Sequence, residues 1–321
     1  GTGVRIIPEA LRAIGFTNII NVPEQDVVSG NFPTVHSPNP EEPAALELAI
    51  RRAEETGADI VLASDPDADR IGVAVRNEEG KIVLINGNEI CALLIYYAIA
   101  NRRDAGLLQP TDYVVKTIVT TELIRAIAEK SNVILFDCYT GFKWIARAPQ
   151  LAFGYEEAIG FCPNPAIARD KDGIASSVVA VSLFAALKAQ GRTAWDELDR
   201  LAHAHGLHVT GPLTFRVEEI EQIATGMARL RAQPPSELAG SPVVEVSDLA
   251  QGYKGLPPTD GVLVLTEAGD RVIARPSGTE PKLKCYLEVI LPAPEGEPVP
   301  WKAAYERLEL IKREFGQIIG L

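Results

Sequence analysis

The sequence predicts two α/β domains with mixed sheets, followed by an α+β domain with an antiparallel sheet. Three observations predict this fold class. Helical and strand-like stretches alternate through the first two thirds of the chain. Several short apolar runs there are typical of buried strands, and after residue 212 short strands cluster between two helices. We place the domains at residues 1–80, 81–207 and 208–321.

The first 80 residues alternate between helical and strand-like patterns. Helical periodicity covers 4–16 and 43–56, and Gly57 closes the second helix. Strand patterns cover 18–22, 59–64 and 71–75. This strand–helix–strand alternation predicts a mostly parallel sheet.

Residues 81–207 repeat the alternation, and the pattern then changes. Strands are predicted at 113–119, 133–137 and 152–155, and helices at 88–102, 122–130, 140–147 and 173–189. A break near 206–212 precedes the last part of the chain. There, short strands lie between helices predicted at 218–232 and 301–318, which indicates an antiparallel sheet with segregated helices.

Composition and charge exclude several classes of protein. A formal charge of −12 argues against binding to nucleic acid, because that binding neutralises phosphates with Lys and Arg. No apolar run approaches the roughly 20 residues that a membrane helix needs, and no signal peptide is visible. The four cysteines lie far apart without a CxxC pair, which favours reduced thiols. We therefore expect a cytoplasmic protein that binds neither nucleic acid nor membrane.

An acidic turn, DPDADR at 65–70, is the strongest local signal. Asp65, Asp67 and Asp69 alternate directly after a predicted strand, so their carboxylates can converge on a hard cation such as Mg²⁺. An EF-hand fits poorly, because Arg70 and Arg76 stand where that loop needs Gly and Glu. The loop of a haloacid-dehalogenase phosphatase is closer, but it normally has Thr or Val where Asp69 stands. A solvated acidic turn is the remaining alternative.

Two further loops carry polar groups suited to a phosphosugar. The segment RPSGTEPKLK at 275–284 combines two hydroxyls, a glycine and several cations, which can cradle a dianion. An ordinary hairpin loop is its alternative. The segment GYEEAIG at 154–160 places two adjacent glutamates after a strand, where they can accept hydrogen bonds from sugar hydroxyls. By itself, this segment would fit an exposed acidic loop equally well.

Together, DPDADR, GYEEAIG and RPSGTEPKLK, in this order, resemble the α-D-phosphohexomutase superfamily of phosphoglucomutases and phosphomannomutases. The resemblance extends to TGFKW at 140–144 and RDKDG at 169–173 and covers nearly the whole chain. The GYEEAIG form is most similar to the phosphoglucomutase/phosphopentomutase branch.

The resemblance implies roles at the end of the site where the phosphoryl group is transferred. Asp65, Asp67 and Asp69 would hold Mg²⁺, together with an oxygen of the phosphoserine. Arg70 would lie beside the transferring phosphoryl group. Lys143 would approach the reacting atoms as a cation or a partner in proton transfer.

The resemblance also implies contacts to the sugar and to its other phosphate. Glu156 and Glu157 would bind sugar hydroxyls, while Ala158 departs from the commoner serine. The phosphate that is not transferred would be bound by five residues of the C-terminal domain: Arg275, Ser277, Gly278, Thr279 and Lys284.

The reaction implied is the interconversion of a sugar 1-phosphate and its 6-phosphate, with glucose as the expected sugar. It passes through a phosphoserine enzyme and a bisphosphorylated sugar, and glucose 1,6-bisphosphate would activate the full-length enzyme. The 321 residues contain no Ser-His-Asn loop of the kind that carries the phosphoserine. The segment 1–3 resembles the turn after the first strand of the family's second domain. We therefore expect an N-terminally truncated chain with an incomplete first sheet and no turnover.

Two other functions stay open at this point. A metal-dependent phosphatase would use Asp65 as its nucleophile, and it leaves the RPSGTEPKLK loop unexplained. A phosphosugar-binding module without catalysis would bind ligand saturably. His203, His205 and His208 form a third cluster, for which surface positions are more typical than a metal site.

Overall fold

The computed structural model describes residues 1–77, 79–277 and 281–320. The chain divides into two compact units. The first comprises Gly1–Thr120 with Ile124–Leu198, and the second comprises Thr121–Leu123 with Asp199–Leu321. The chain therefore leaves the first unit briefly at residue 121 and finally after residue 198.

The first sheet of the first unit has three strands, β1 (Ile60–Ser64), β2 (Ile71–Arg76) and β3 (Ile82–Leu84), in that order. Both pairings are antiparallel, so the prediction of a mostly parallel sheet is wrong here. The connection between β1 and β2 is the acidic turn, which is long enough for a hairpin but not for a crossover. Residues 18–22, predicted as a strand, form no ladder.

Helices α1 (Gly3–Ala13) and α2 (Pro43–Thr56) precede this sheet in the chain. Proline in the first turn of α2 and the left-handed Gly57 at its end fix its bounds, which the sequence predicts to the residue. The apolar face of α2 packs on all three strands, where Leu46 and Ala53 contact Val61, Ala74 and Ile82. This packing fixes the β1–β2 hairpin that carries the acidic turn.

The second sheet has four strands in the order β5-β4-β6-β7: β4 (Tyr113–Thr117), β5 (Ile134–Cys138), β6 (Leu151–Glu156) and β7 (Gly160–Cys162). Strand β4 is parallel to β5 and β6, whereas β7 folds back antiparallel to β6. The mixed sheet that the sequence predicts is thus confirmed. Since the carboxyl ends of β4 and β6 meet at one edge, polar residues ending these strands lie together.

Five helices belong to this part of the chain: α3 (Gly87–Asp104), α4 (Leu123–Lys130), α5 (Phe142–Ile145), α6 (Gly173–Ala189) and α7 (Ala194–His205). The sequence predicts the first four, and α7 was not predicted. Asn86 and Glu89 form a capping box that starts α3. The Asp172 side chain accepts the Ala175 N–H and starts α6.

The second unit is built on a six-stranded sheet, antiparallel at every pairing described. Its strands are β8 (Leu207–Arg216), β9 (Glu237–Leu238), β10 (Ser241–Asp248), β11 (Val262–Thr266), β12 (Arg271–Pro276) and β13 (Lys282–Leu291). The order is β8-β13-β12-β11-β10-β9. Helices α8 (Ile220–Ala232) and α9 (Trp301–Ile319) pack on this sheet through residues such as Met227 and Phe315. The predicted α+β arrangement is confirmed.

All four cysteines are buried and free. Over the described ranges, no single helix is both long and apolar enough to cross a bilayer. Helices α6 and α7 meet that length and composition test only as a pair bent by 90°.

Candidate active site

The acidic turn closes the β1–β2 hairpin and brings its three carboxylates together. Ligand oxygens of Asp65, Asp67 and Asp69 lie within 4.8 Å of one another. Asp65 is buried, Asp67 is exposed and Asp69 is half-buried, while Ala68 between them adopts a left-handed conformation with φ of +60°. In the part of the chain that the structure describes, no other group of acidic, His or Cys side chains converges in this way.

The donor set of this turn fits a hard divalent cation. Mg²⁺ prefers carboxylate oxygens at about 2.0–2.1 Å, so opposite ligands of one ion lie about 4 Å apart. Three carboxylates within 4.8 Å of one another come close to that spacing. The solvent-facing side chain of Asp67 leaves the turn open to water or an anion.

Two cations neutralise the acidic turn. The Arg70 backbone N–H donates to Asp65 Oδ1 (3.0 Å) and its Nε donates to Asp65 Oδ2 (2.7 Å). The Lys171 ammonium forms an ion pair with Asp69, and Arg70 Nη1 lies 3.9 Å from Glu41 Oε2. Burial alone would raise the pKa of Asp65, but the hydrogen bonds and charge of Arg70 outweigh it and lower that pKa. Burial raises the pKa of Asp69, and the Lys171 ammonium offsets the rise only in part.

Lys171 is a site residue that the sequence analysis did not assign. The signal was present, because a lysine between two aspartates directly precedes helix α6. The Gly173 N–H at the start of α6 donates to the Ala68 carbonyl (3.1 Å), so the helix docks on the acidic turn. A Cβ on Gly173 would lie 2.6 Å from that carbonyl oxygen, which explains the glycine at this position.

The loop that carries the two glutamates lies directly beside the acidic turn. It connects β6 to β7, and the Ile71 N–H donates to the Ile159 carbonyl (3.2 Å). Arg70 and Gly160 form an isolated antiparallel bridge. The backbone thus joins the DPDADR and GYEEAIG motifs within the first unit.

Each glutamate is held by a specific donor. The Gly141 N–H donates to Glu156 Oε1 (2.6 Å), and the Thr117 hydroxyl donates to Glu157 Oε2 (3.3 Å). Desolvation, with a smaller contribution from the charge of Glu156, raises the pKa of Glu157 to about 7. A Cβ on Gly87 would lie 1.8 Å from the Glu157 carbonyl oxygen, so α3 also approaches this loop closely.

Lys143 lies on α5, the short helix that starts after Gly141. Its side chain is exposed, and Nζ lies 5.5 Å from the centre of the Trp144 ring. The structure thus places Lys143 two residues from the backbone donor to Glu156.

The predicted phosphate-binding residues lie in the second unit, where β12 ends and β13 begins. Arg275 pairs with Lys284 across these strands, and the Ser277 N–H donates to the Lys282 carbonyl (2.8 Å). Arg275 and Ser277 are half-buried, and Lys284 is exposed. Two further predicted residues, Gly278 and Thr279, lie outside the described residues.

The second unit also contains a buried ionic network that the sequence did not predict. Glu288 accepts hydrogen bonds from the Thr121 hydroxyl (2.5 Å), the Glu122 N–H (2.8 Å) and Arg271 Nη2 (2.8 Å). His208 Nδ1 lies 2.9 Å from its Oε1 atom. Burial would raise the pKa of Glu288, but Arg271 and the other partners lower it to about 2.

The histidine cluster does not form a metal site among the described side chains. His208 belongs to the network around Glu288. His203 Nδ1 lies 3.0 Å from the Ala293 carbonyl oxygen.

Three family models match this chain. They describe phosphoglucomutase/phosphomannomutase alpha/beta/alpha domain II at residues 1–80, alpha/beta/alpha domain III at 86–204 and the C-terminal domain at 213–296. Together these matches cover most of the chain and include every motif discussed above.

Curated relatives match over most of this chain but over little more than half of their own length. A probable phosphomannomutase of Haemophilus influenzae is 38% identical over 289 residues, which is 90% of this chain and 58% of the relative. A phosphoglucomutase of Staphylococcus aureus is 33% identical over 313 residues, 91% of this chain and 56% of the relative.

Two solved structures share the fold. A candidate phosphomannomutase of Thermus thermophilus superposes with a TM-score of 0.69 at 22% identity, covering 100% of this chain and 59% of that one. A phosphoglucomutase/phosphomannomutase family protein of Burkholderia thailandensis gives 0.60 at 18% identity, covering 91% and 54%. At these identities, the likeness concerns the fold alone.

Proposed function

Because the chain belongs to the phosphoglucomutase/phosphomannomutase family, we propose that it supplies the metal-, sugar- and phosphate-binding loops of a phosphosugar mutase. The proposed reaction interconverts a sugar 1-phosphate and its 6-phosphate through a phosphoserine enzyme and a bisphosphorylated sugar, with glucose as the sugar. One observation supports the proposal: the Ile71 N–H donates to the Ile159 carbonyl, so the carboxylates proposed to bind a cation lie next to the loop proposed to bind the sugar.

Asp65, Asp67 and Asp69 would hold Mg²⁺. The bound ion would supply positive charge that stabilises the phosphoryl group during transfer. Lys171 and Arg70 flank the same carboxylates, and Arg70 is fixed by its hydrogen bonds to Asp65. A guanidinium held in place can neutralise phosphoryl oxygens with little reorganisation, which is the main requirement for this transfer.

Glu156 and Glu157 would orient the sugar by hydrogen bonds to its hydroxyls. A carboxyl group with a pKa of about 7 can accept or donate a hydrogen bond near neutral pH, so Glu157 suits a hydroxyl in either orientation. Lys143, on the helix after Gly141, would serve as a cation or proton-transfer partner.

Arg275, Ser277 and Lys284, with Gly278 and Thr279, would bind the phosphate that is not transferred. Binding energy from this remote phosphate would orient the sugar for reaction at its other end. The clamp would accept the 1-phosphate and the 6-phosphate in turn. Glucose 1,6-bisphosphate would activate the complete enzyme.

A phosphatase would leave the RPSGTEPKLK loop at 275–284 without a role. The alternative of a phosphatase that uses Asp65 is therefore less well supported. We further propose the domain limits 1–80, 81–207 and 208–321 and a cytoplasmic location. We propose the phosphoglucomutase/phosphopentomutase branch as the subgroup, because the GYEEAIG segment at 154–160 is most similar to that branch.

Calorimetric titration with glucose 1-phosphate in excess Mg²⁺ tests the proposal. Arg275→Ala removes a charged contact to phosphate, so we expect affinity to fall about tenfold or more. Arg313→Ala, an exposed arginine on α9, is the control and should bind like the parent chain.

A coupled assay for glucose 6-phosphate should detect no turnover by these 321 residues alone, since they contain no phosphoserine loop. Equal affinity of both arginine variants would contradict the phosphate clamp. Steady formation of glucose 6-phosphate would contradict the phosphoserine route.

A further inference from the structure

Lys171 connects two loops of the first unit for which different ligands are proposed. Its ammonium forms an ion pair with Asp69 of the acidic turn. Its aliphatic stem passes over Gly160, because the three atoms nearest to a Cβ added at that glycine all belong to Lys171, with Cγ at 2.9 Å. Gly160 is the strand partner of Glu156 in the β6–β7 pairing. The Lys171 side chain thus reaches the acidic turn by crossing the loop proposed to bind the sugar.

The ammonium of Lys171 is held in place by its surroundings. The Lys171 side chain is only 22% exposed, and that of Asp69 is 27% exposed. The next residue along the chain is anchored as well, since the Asp172 N–H donates to the Phe161 carbonyl (2.8 Å). Burial would lower the pKa of Lys171, but the hydrogen bond and the charge of Asp69 raise it. Lys171 therefore places a fixed positive charge at the acidic turn.

A divalent ion at the acidic turn would have to share Asp69 with this ammonium. Ligand oxygens of the three aspartates lie within 4.8 Å of one another. An ion held among them would be separated from the Lys171 ammonium only by the Asp69 carboxylate. Like charges a few ångströms apart repel even in water, and they repel more strongly in a partly buried site. The ammonium therefore opposes the binding of a metal ion.

We propose that Lys171 competes with the divalent cation for Asp69 and thereby makes the binding of metal and phosphate cooperative. When the ion takes Asp69, the ammonium gives up that partner, and a phosphoryl group supplies new oxygens to accept its hydrogen bonds. Phosphate thus relieves the competition, so metal binds more tightly in its presence. By linkage, metal raises the affinity for phosphate by the same factor. The inference rests on the metal site of the proposed function and adds the residue that controls when this site fills.

Gly160 offers a way to move the ammonium without removing its charge. The backbone of Gly160 lies outside the left-handed region, so alanine is compatible with it. The added Cβ would collide with the flexible stem of Lys171, which can yield by turning away. Gly160→Ala should therefore shift the ammonium from Asp69 while the net charge of the chain stays the same.

Titration of the 321-residue chain with Mn²⁺, followed by the electron paramagnetic resonance signal of the free ion, tests the proposal. Without phosphate, we expect Lys171→Met and Gly160→Ala to bind Mn²⁺ about tenfold more tightly than the parent. Inorganic phosphate should tighten Mn²⁺ binding about tenfold less in Lys171→Met than in the parent. Lys188→Met is the matched control, because Lys188 lies on α6 in an exposed pair with Asp59, and it should bind Mn²⁺ like the parent.

Several results would overturn the proposal. If Lys171→Met binds Mn²⁺ no more tightly than the parent, the ammonium does not compete for Asp69, and the metal site itself still stands. An unchanged effect of phosphate in Lys171→Met overturns the cooperativity, and equal tightening by Lys188→Met would indicate a general effect of net charge. If neither the parent nor the variants bind Mn²⁺, the metal site of the proposed function fails and this inference with it. If circular dichroism shows that Lys171→Met does not fold, Gly160→Ala decides, and parent-like affinity overturns the proposal.

Discussion

Individual acidic residues serve two different purposes in this chain. Asp67 and Asp69 are at least partly open to solvent, so a metal ion can displace the cation that neutralises Asp69. Glu288 is fully enclosed, and its oxygens are satisfied by Thr121 and Arg271. We interpret the aspartates as functional and Glu288 as structural.

Glu288→Gln should destabilise the second unit by about 3–5 kcal/mol at pH 7, since it removes the buried negative charge that pairs with Arg271. The pKa of Glu288 is lowered from 4.5 to about 2. Its contribution to the stability of the second unit is therefore complete above pH 4.5 and is lost as the pH falls towards 2. The difference in the free energy of unfolding between the variant and the parent should therefore shrink as the pH falls from 4.5 towards 2. Urea denaturation followed by tryptophan fluorescence measures it, with Trp301 as the reporter in this unit.

The control for this prediction is Glu309→Gln. It breaks an exposed pair with Lys312 and should change stability by less than about 1 kcal/mol. If Glu288→Gln lowers the free energy of unfolding at pH 7 no more than this control does, the network around Glu288 does not stabilise the second unit.

At the scale of secondary-structure elements, the close packing of α6 on the acidic turn leads to a specific prediction about stability. Gly173→Ala places a Cβ 2.6 Å from the Ala68 carbonyl oxygen and should destabilise the first unit by about 1–3 kcal/mol. Gly316→Ala is the matched control in α9, because its Cβ would meet nothing closer than a Phe215 atom at 3.8 Å. That change should stabilise by about 0.5–1 kcal/mol through helix propensity. Thermal denaturation compares the two, and a Gly173→Ala chain as stable as the parent would refute the close docking.

How much of each element the sequence could predict depended on local signals. Helices α2 and α6 were predicted to the residue because proline, aspartate and glycine mark their ends. The pairing of β1 with β2 was misread, because alternation of strands and helices does not specify which strands are neighbours. The acidic turn was visible as a contiguous motif, whereas the bond between Thr121 and Glu288 joins residues 167 positions apart and left no local trace.

For the molecule as a whole, the two units should respond differently to metal. Some amides, such as those of β2, exchange their hydrogens only when the first unit unfolds. At a Mg²⁺ concentration of about 100 times its dissociation constant, we expect the hydrogen exchange of these amides to slow about 100-fold. Amides of β12 in the second unit should not change. Hydrogen exchange with mass spectrometry measures both, and Asp69→Asn should abolish the response. Equal protection of both units by Mg²⁺ would contradict a metal site confined to the first unit.

The most direct test is a crystal structure of the chain soaked with Mn²⁺ and glucose 1-phosphate, with data collected at the manganese edge. We predict one strong anomalous peak surrounded by the carboxylates of Asp65, Asp67 and Asp69, with sugar hydroxyls on Glu156 or Glu157. If no anomalous peak appears at the acidic turn at saturating Mn²⁺, and its carboxylates still pair with Arg70 and Lys171, the proposed metal site is contradicted.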